Sequence, residues 1–210
     1  MKNNFISKIF RWLFIGLAIT FGLGYAITLS EDLVNILLMN WTIIIVAELL
    51  VGLGLSIFIR RMSDSLAKIL YLAYAALTGI TFSVIFLAFE LSSIIWVFLA
   101  TAIIFGILGL VGKNIKIDLS GFGTFLLIAL ISMLFLTLIN IFIANQTLDL
   151  TICFESLLIF MGYITFDINR IMKLGQLQQE EKYAIFWAFQ LYLDIINIII
   201  KLLKLFGKRK

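Results

Sequence analysis

Histidine and proline are absent from this chain, and cysteine occurs once, at Cys153. Without histidine there is no serine–histidine hydrolysis and no imidazole proton relay. One cysteine excludes an internal disulfide and, with no histidine, any zinc centre of the Cys/His type. The lack of proline removes the main helix breaker and suits long, uninterrupted helices. Charge is scarce too: 13% of residues are charged and 63% are hydrophobic, with 20 phenylalanines. Soluble domains run near 25% charged and about 45–50% apolar. A mean hydropathy of +1.15 completes the picture of an integral membrane protein. The formal net charge of +4 comes mainly from residues flanking apolar stretches. It reads as topology and attraction to a lipid surface rather than to nucleic acid.

Seven stretches are long enough to cross about 30 Å of hydrocarbon at 1.5 Å per residue. They cover 12–29, 39–59, 67–89, 93–112, 121–144, 150–171 and 183–206. Lys2, Lys8 and Arg11 before the first stretch give it the flank of a signal peptide. Its apolar run of about 18 residues is too long for an h-region, and no small-x-small site follows, so it reads as an uncleaved first span. The expectation is an all-α polytopic protein, a seven-transmembrane-helix bundle forming one transmembrane domain over 1–210.

Loop charge alternates along the chain. The N-terminus, the Arg60–Lys68 loop, the Lys113–Asp118 loop and the Arg170–Lys182 loop hold the lysines and arginines. The loops between them hold Glu31, Asp32, Glu90 and Asp149. The positive-inside rule then puts the N-terminus in the cytoplasm. Seven crossings put the C-terminus outside, yet the tail Lys208-Arg209-Lys210 is basic. Either the last segment crosses against the rule or it re-enters; the unbroken run Ala184–Phe206 favours a full crossing.

Two aspartates interrupt the last two apolar stretches: Asp167 in one, Asp194 in the other. A carboxylate at membrane depth costs a few kcal/mol or more and is a functional-site candidate by default. Asp194 belongs to a stripe, Gln190, Asp194, Asn197, Lys201 and Lys204, spaced 4, 3, 4 and 3 residues apart on one helix face. Such a stripe should face a bundle interior or a water-filled cavity rather than lipid. The alternative is an interfacial amphipathic helix with Lys201 and Lys204 snorkelling to headgroups. In depth, Asp167 and Asp194 fall near the cytoplasmic side, where Arg60 and Arg61 end the second span. Glu48 lies about 18 Å above Arg60, and Lys204 about 15 Å above Asp194, along their helices. Matched in depth and sign, Glu48 and Lys204 are candidates for a second ion pair. Two carboxyls close together in a low-dielectric site cannot both ionise cheaply and tend to share one proton. Carboxylate oxygens also suit Ca²⁺, which makes Asp167 and Asp194 candidate ligands, though spacing does not choose Ca²⁺ over H⁺ or Na⁺.

The stretch Phe166-Asp167-Ile168-Asn169-Arg170-Ile171, followed by Leu191-Tyr192-Leu193-Asp194-Ile195-Ile196-Asn197, resembles the paired signature of the Bax inhibitor-1 family. Thr78-Gly79-Ile80-Thr81, Asp118-Leu119-Ser120 and the ending Leu202–Gly207 fit the same pattern. The resemblance covers nearly the whole chain. It implies a seven-helix bundle in a bacterial inner membrane with the last helix at its centre. It also implies a pH-sensitive calcium leak or Ca²⁺/H⁺ exchanger whose sensor is the proton-sharing pair Asp167 and Asp194. Arg60 or Arg61 takes the latch position, Glu48 matches an acidic position of the second span, and Lys204 stands where arginine is common. Ca²⁺ is then the transported ion rather than a cofactor. Bacterial relatives are also linked to a membrane-bound AAA protease, a binding role without transport.

Three other functions compete. A regulatory partner of a membrane protease complex needs neither aspartate for transport. An intramembrane aspartyl protease also uses two aspartates, but the Gly-x-Gly-Asp and Pro-Ala-Leu elements are missing, so no enzyme is expected. A retinal protein, suggested by Lys201 and Lys204 in a seventh helix, conflicts with a cytoplasmic N-terminus.

Overall fold

The computed structural model describes residues 2–174 and 180–210. Among the described residues the chain forms eight α-helices: α1 Lys2–Ile27, α2 Glu31–Met39, α3 Trp41–Phe58, α4 Asp64–Ala88, α5 Leu91–Asn114, α6 Ser120–Ile143, α7 Gln146–Leu174 and α8 Glu181–Phe206. A 3₁₀ turn, Ile59–Arg61, extends α3. Seven of the eight are long and apolar enough to cross a membrane, the number the hydropathy pattern predicts. Of the expected break 175–182, residues 175–179 lie outside the described residues.

The differences lie at the helix ends. Helix α1 starts well before residue 12, because Phe5, Ile9 and Leu13, four residues apart, bury one face of its basic first turns. The short α2 was not expected. Ser30 caps it by accepting from the Leu33 N–H at 3.4 Å, and Glu31 and Asp32 sit in its first turn, where the helix dipole favours acids. The Ser-Glu-Asp sequence that reads as a break is thus also a helix start. Ser63 caps α4 in the same way. Asp118 accepts from the backbone N–H and the hydroxyl of Ser120, which opens α6 and holds the exposed Asp118 carboxyl below its ordinary pKa.

Two compact units share the chain. The first comprises Met1–Glu90, Leu174–Tyr192 and Arg209–Lys210. In it α1 and α4 run side by side in the same direction. Tyr71 donates to the Trp12 carbonyl at 2.9 Å, Thr20 donates to the Ala75 carbonyl at 2.9 Å, and Gly24 meets Gly79. A Cβ at Gly79 would stand 2.9 Å from the Thr20 carbonyl oxygen, so this crossing requires glycine. The first turn of α8 is fixed at the end where α1 and α4 begin. Glu181 takes Lys8 at 3.0 Å, Arg11 at 3.2 Å and the Trp12 indole at 2.8 Å, and the Lys182 N–H donates to Asp64 at 3.1 Å.

At the other end of α4, the Lys210 N–H donates to the Ala88 carbonyl at 3.0 Å and its ammonium to the Phe86 carbonyl at 2.8 Å. Helix α8 therefore starts at the Asp64 end of α4, and the tail finishes at the Ala88 end. This is a full crossing, not re-entry. The basic tail has a structural use, since its cation sits on the open carbonyls at a helix C-terminus.

The second unit comprises Leu91–Lys173 and Leu193–Lys208. Its helices approach through small residues on α5, α6 and α7: Gly112 lies against the Thr165 backbone, Gly123 against the Phe166 ring, and Gly162 against Leu126. Helix α8 passes from one unit to the other without interruption. Of its most apolar window 72% is buried, against 11–44% for the other spans. That excludes the interfacial amphipathic alternative: protein, not headgroups, covers this helix.

Substituting Gly79 by alanine is expected to lower stability by about 1–3 kcal/mol through overpacking. Gly54→Ala, where nothing lies within 4 Å, should be neutral or slightly stabilising. Reversible unfolding of both variants in mixed micelles checks the contrast.

Candidate functional site

Asp167 and Asp194 both lie in the second unit and are 6% and 4% exposed. Their carboxyls are within Coulombic range of each other. Among the described residues, Asp194 Oδ2 is the one buried side-chain polar atom with no hydrogen-bond partner. An ionised carboxylate in that state is expensive, whereas a pair holding one proton is not.

The local sequence explains how Asp167 reaches this place. Two residues on, Asn169 is 2% exposed, and its side-chain amide donates to the carbonyls of Gly112 at 3.0 Å and Ile115 at 2.7 Å. One turn further, the Lys173 ammonium donates to the Ile117 carbonyl at 2.8 Å. These bonds satisfy the open carbonyls at the end of α5 and the loop after it, and they fix α7 in register. Gly112 lets the α7 backbone approach at Thr165, and Gly123 does so at Phe166. Asp167 is thus held inside the packing of α5, α6 and α7. Arg170, one turn on, is within charge range of it, and its guanidinium lies 5.3 Å from the Phe166 ring centroid. Tyr163, one turn before, is within range of both aspartates.

The stripe on α8 is uneven. Asp194 is buried, while Gln190, Asn197, Lys201 and Lys204 are half-buried. Asn197 donates back to the Leu193 carbonyl at 2.8 Å. Cys153 gives its thiol hydrogen to the Lys201 carbonyl at 3.6 Å, a structural use of the lone cysteine.

Lys204 and Glu48, the candidates for a second ion pair, each have a partner within their own unit. The Lys204 ammonium pairs with Asp149 at 2.6 Å, and Glu48 accepts from the Thr78 hydroxyl at 2.8 Å. Asp149 sits in the first turn of α7, at the helix end that meets the last turn of α8. Arg60 and Arg61 are both exposed, and the Arg60 guanidinium rests over the Phe186 ring, 4.4 Å from its centroid. Among the described residues no three histidine, cysteine, aspartate or glutamate side chains cluster. Two carboxyls alone fall short of the six to eight oxygens that a resident Ca²⁺ takes.

Comparison with known proteins decides the family. The model described as "Inhibitor of apoptosis-promoting Bax1" matches residues 2–210. The chain belongs to the Bax inhibitor-1 family. It is 31% identical over 217 residues to the inner membrane protein YbhL of Escherichia coli strain K12, covering 99% of this chain and 93% of YbhL. An uncharacterized Deinococcus radiodurans protein is 32% identical over 211 residues, covering 99% and 91%. A Borreliella burgdorferi protein, also uncharacterized, is 30% identical over 219 residues, covering 100% and 94%. The chain is thus a multi-pass membrane protein of the Bax inhibitor-1 family.

Sequence reading missed Tyr163, Asn169 as a clamp, and Asp149. Tyr163 stands four residues before Asp167, a spacing that helix geometry makes a neighbour. Nothing in spacing marked Asn169 as a cap for another helix. Asp149 had been assigned only to a loop.

Asn169→Leu strands one buried and one part-buried carbonyl and is expected to cost about 1–3 kcal/mol. Lys204→Met breaks a pair whose side chains are 34% and 44% exposed, and should cost under about 1 kcal/mol. Unfolding titrations of both variants rank the two contributions.

Proposed function

We propose that this Bax inhibitor-1 family protein is a pH-sensitive cation leak of the bacterial inner membrane, passing Ca²⁺ or exchanging it for protons. Asp167 and Asp194 form the sensor. The observation that carries the reading is the burial of both carboxyls in one unit, with Asp194 Oδ2 lacking a hydrogen-bond partner. In that setting the pair's charge is decided by how many protons it holds. One proton lets one carboxyl donate to the other; losing it leaves two like charges in a poorly solvated place, and the packing must respond. The family resemblance supplies the ion, and the donor set is compatible with Ca²⁺ as cargo.

The same reading puts the N-terminus in the cytoplasm, following the basic loops. The beginnings of α1, α4 and α8 then lie at the cytoplasmic face, and the Asp149–Lys204 pair at the outer face. One of Arg60 and Arg61 acts as the latch, and Arg60 is the one whose guanidinium already rests on α8. No catalytic step is assigned. The membrane protease partnership stays the second reading, and the flux experiment separates it from the first.

Purified protein in liposomes should pass Ca²⁺ with a rate that depends on pH, by up to about tenfold per pH unit where one proton controls the gate. Asp167→Asn and Asp194→Asn should each flatten that dependence. Unchanged pH profiles in both variants would remove the sensor assignment, and an absence of flux at every pH would remove the leak.

A further inference from the structure

Glu48 is a second carboxyl site within the span of α3, and its surroundings differ from those of the aspartate pair. It is half-buried, and Thr78 on α4, only 3% exposed, donates to it at 2.8 Å. The phenols of Tyr192 on α8 and Tyr74 on α4 lie close to Thr78 and Glu48. Tyr192 in turn meets Thr20 on α1 at 2.6 Å, and Thr20 donates to the Ala75 carbonyl at 2.9 Å. These groups all belong to the first unit.

The direction of the chain follows from counting hydrogens. Thr20 has one hydroxyl hydrogen, and the Ala75 carbonyl can only accept, so that hydrogen is committed. Tyr192 must therefore be the donor to Thr20. This leaves the Tyr192 oxygen as an acceptor beside Thr78. With Glu48 ionised, Thr78 donates to the carboxylate. With Glu48 protonated, its own O–H donates to the Thr78 oxygen, and the Thr78 hydrogen turns to Tyr192. The Glu48 oxygen that meets Thr78 and the Thr78 hydroxyl keep each other as partners in both states, and the net change is one proton gained by Glu48 from solvent.

We infer that Glu48, Thr78, Tyr192 and Thr20 form a second intramembrane proton-binding site, distinct from the Asp167/Asp194 pair. An ammonium partner, as in the expected pair with Lys204, would hold Glu48 in its charged form. A hydroxyl serves both forms because its hydrogen rotates. The titratable groups facing Glu48 are the phenols of Tyr74 and Tyr192. Tyr71, which faces Tyr192, has its hydrogen committed to the Trp12 carbonyl. The ligand is a proton rather than a metal ion, because direct contacts of 2.8 and 2.6 Å leave no space for one between those oxygens.

Infrared difference spectroscopy of the full chain in lipid nanodiscs, stepped in pH, tests this without any transport measurement. A carboxylic C=O band should appear on acidification and be lost in Glu48→Gln. It should persist in the Asp167→Asn/Asp194→Asn double variant, which separates this site from the aspartate sensor. Thr78→Val should move the band to higher frequency as the hydrogen bond is lost, and Thr78→Ser should restore it; circular dichroism confirms the fold of each. A folded Glu48→Gln variant with an unchanged spectrum overturns the proposal. So does a band whose position is the same in Thr78→Val, Thr78→Ser and the unaltered protein.

Discussion

Hydrocarbon offers no hydrogen bonds, so every polar group taken into it must be served by the protein itself. The other features of this molecule follow from how that requirement is met on α8. This helix carries Gln190, Asp194, Asn197, Lys201 and Lys204 along one face and cannot lie in lipid without heavy cost. It is accordingly the span that protein covers most completely. The covering helices have close-packing devices where they meet. In one unit Gly24 and Gly79 bring α1 and α4 together; in the other Gly112 and Gly123 bring α5 and α6 onto α7. Without a hydrophobic driving force between helices in lipid, such small-residue contacts are a principal means of association.

The seven spans were legible in the sequence because the signal is additive: some twenty apolar residues in a row can do little else. Caps were less legible. Ser30 and Ser63 look like loop residues until the helix after them is seen to need an acceptor for its first N–H groups. The least legible features were the partners of charged side chains. Asp167 and Asp194 stood out because each is the lone acid of a long apolar run, 157–171 and 186–206. The Asp149 partner of Lys204 was not legible, because one-dimensional depth does not say which helix is the neighbour. The tail Lys208-Arg209-Lys210 conflicted with the loop-charge rule for a similar reason. That rule treats each cation as free to interact with lipid, yet Lys210 is spent on the carbonyls of Phe86 and Ala88.

The charged side chains in the spans differ in what they meet, and the difference sorts them by role. Lys204 meets a carboxylate, and the contact ties α7 to α8. Glu48 meets a hydroxyl, which can accommodate a proton or its absence. Asp194 meets no partner at Oδ2. Of the three, the buried carboxyl oxygen without a partner is the costliest to leave charged.

The aspartate pair has a defined mechanical setting. Asp167 cannot move alone, because Asn169 and Lys173 bind α7 to the end of α5 and the loop beyond it. Asp194 is carried on α8, which runs unbroken over Glu181–Phe206 and has ion pairs in its first and last turns. Repulsion between the two carboxyls therefore acts on helices rather than on free side chains. The softer response, rotation of a side chain toward water, is closed to groups that are 6% and 4% exposed. In the proposed sensor, a pair so placed would pass a change of one proton on to the helices that carry it.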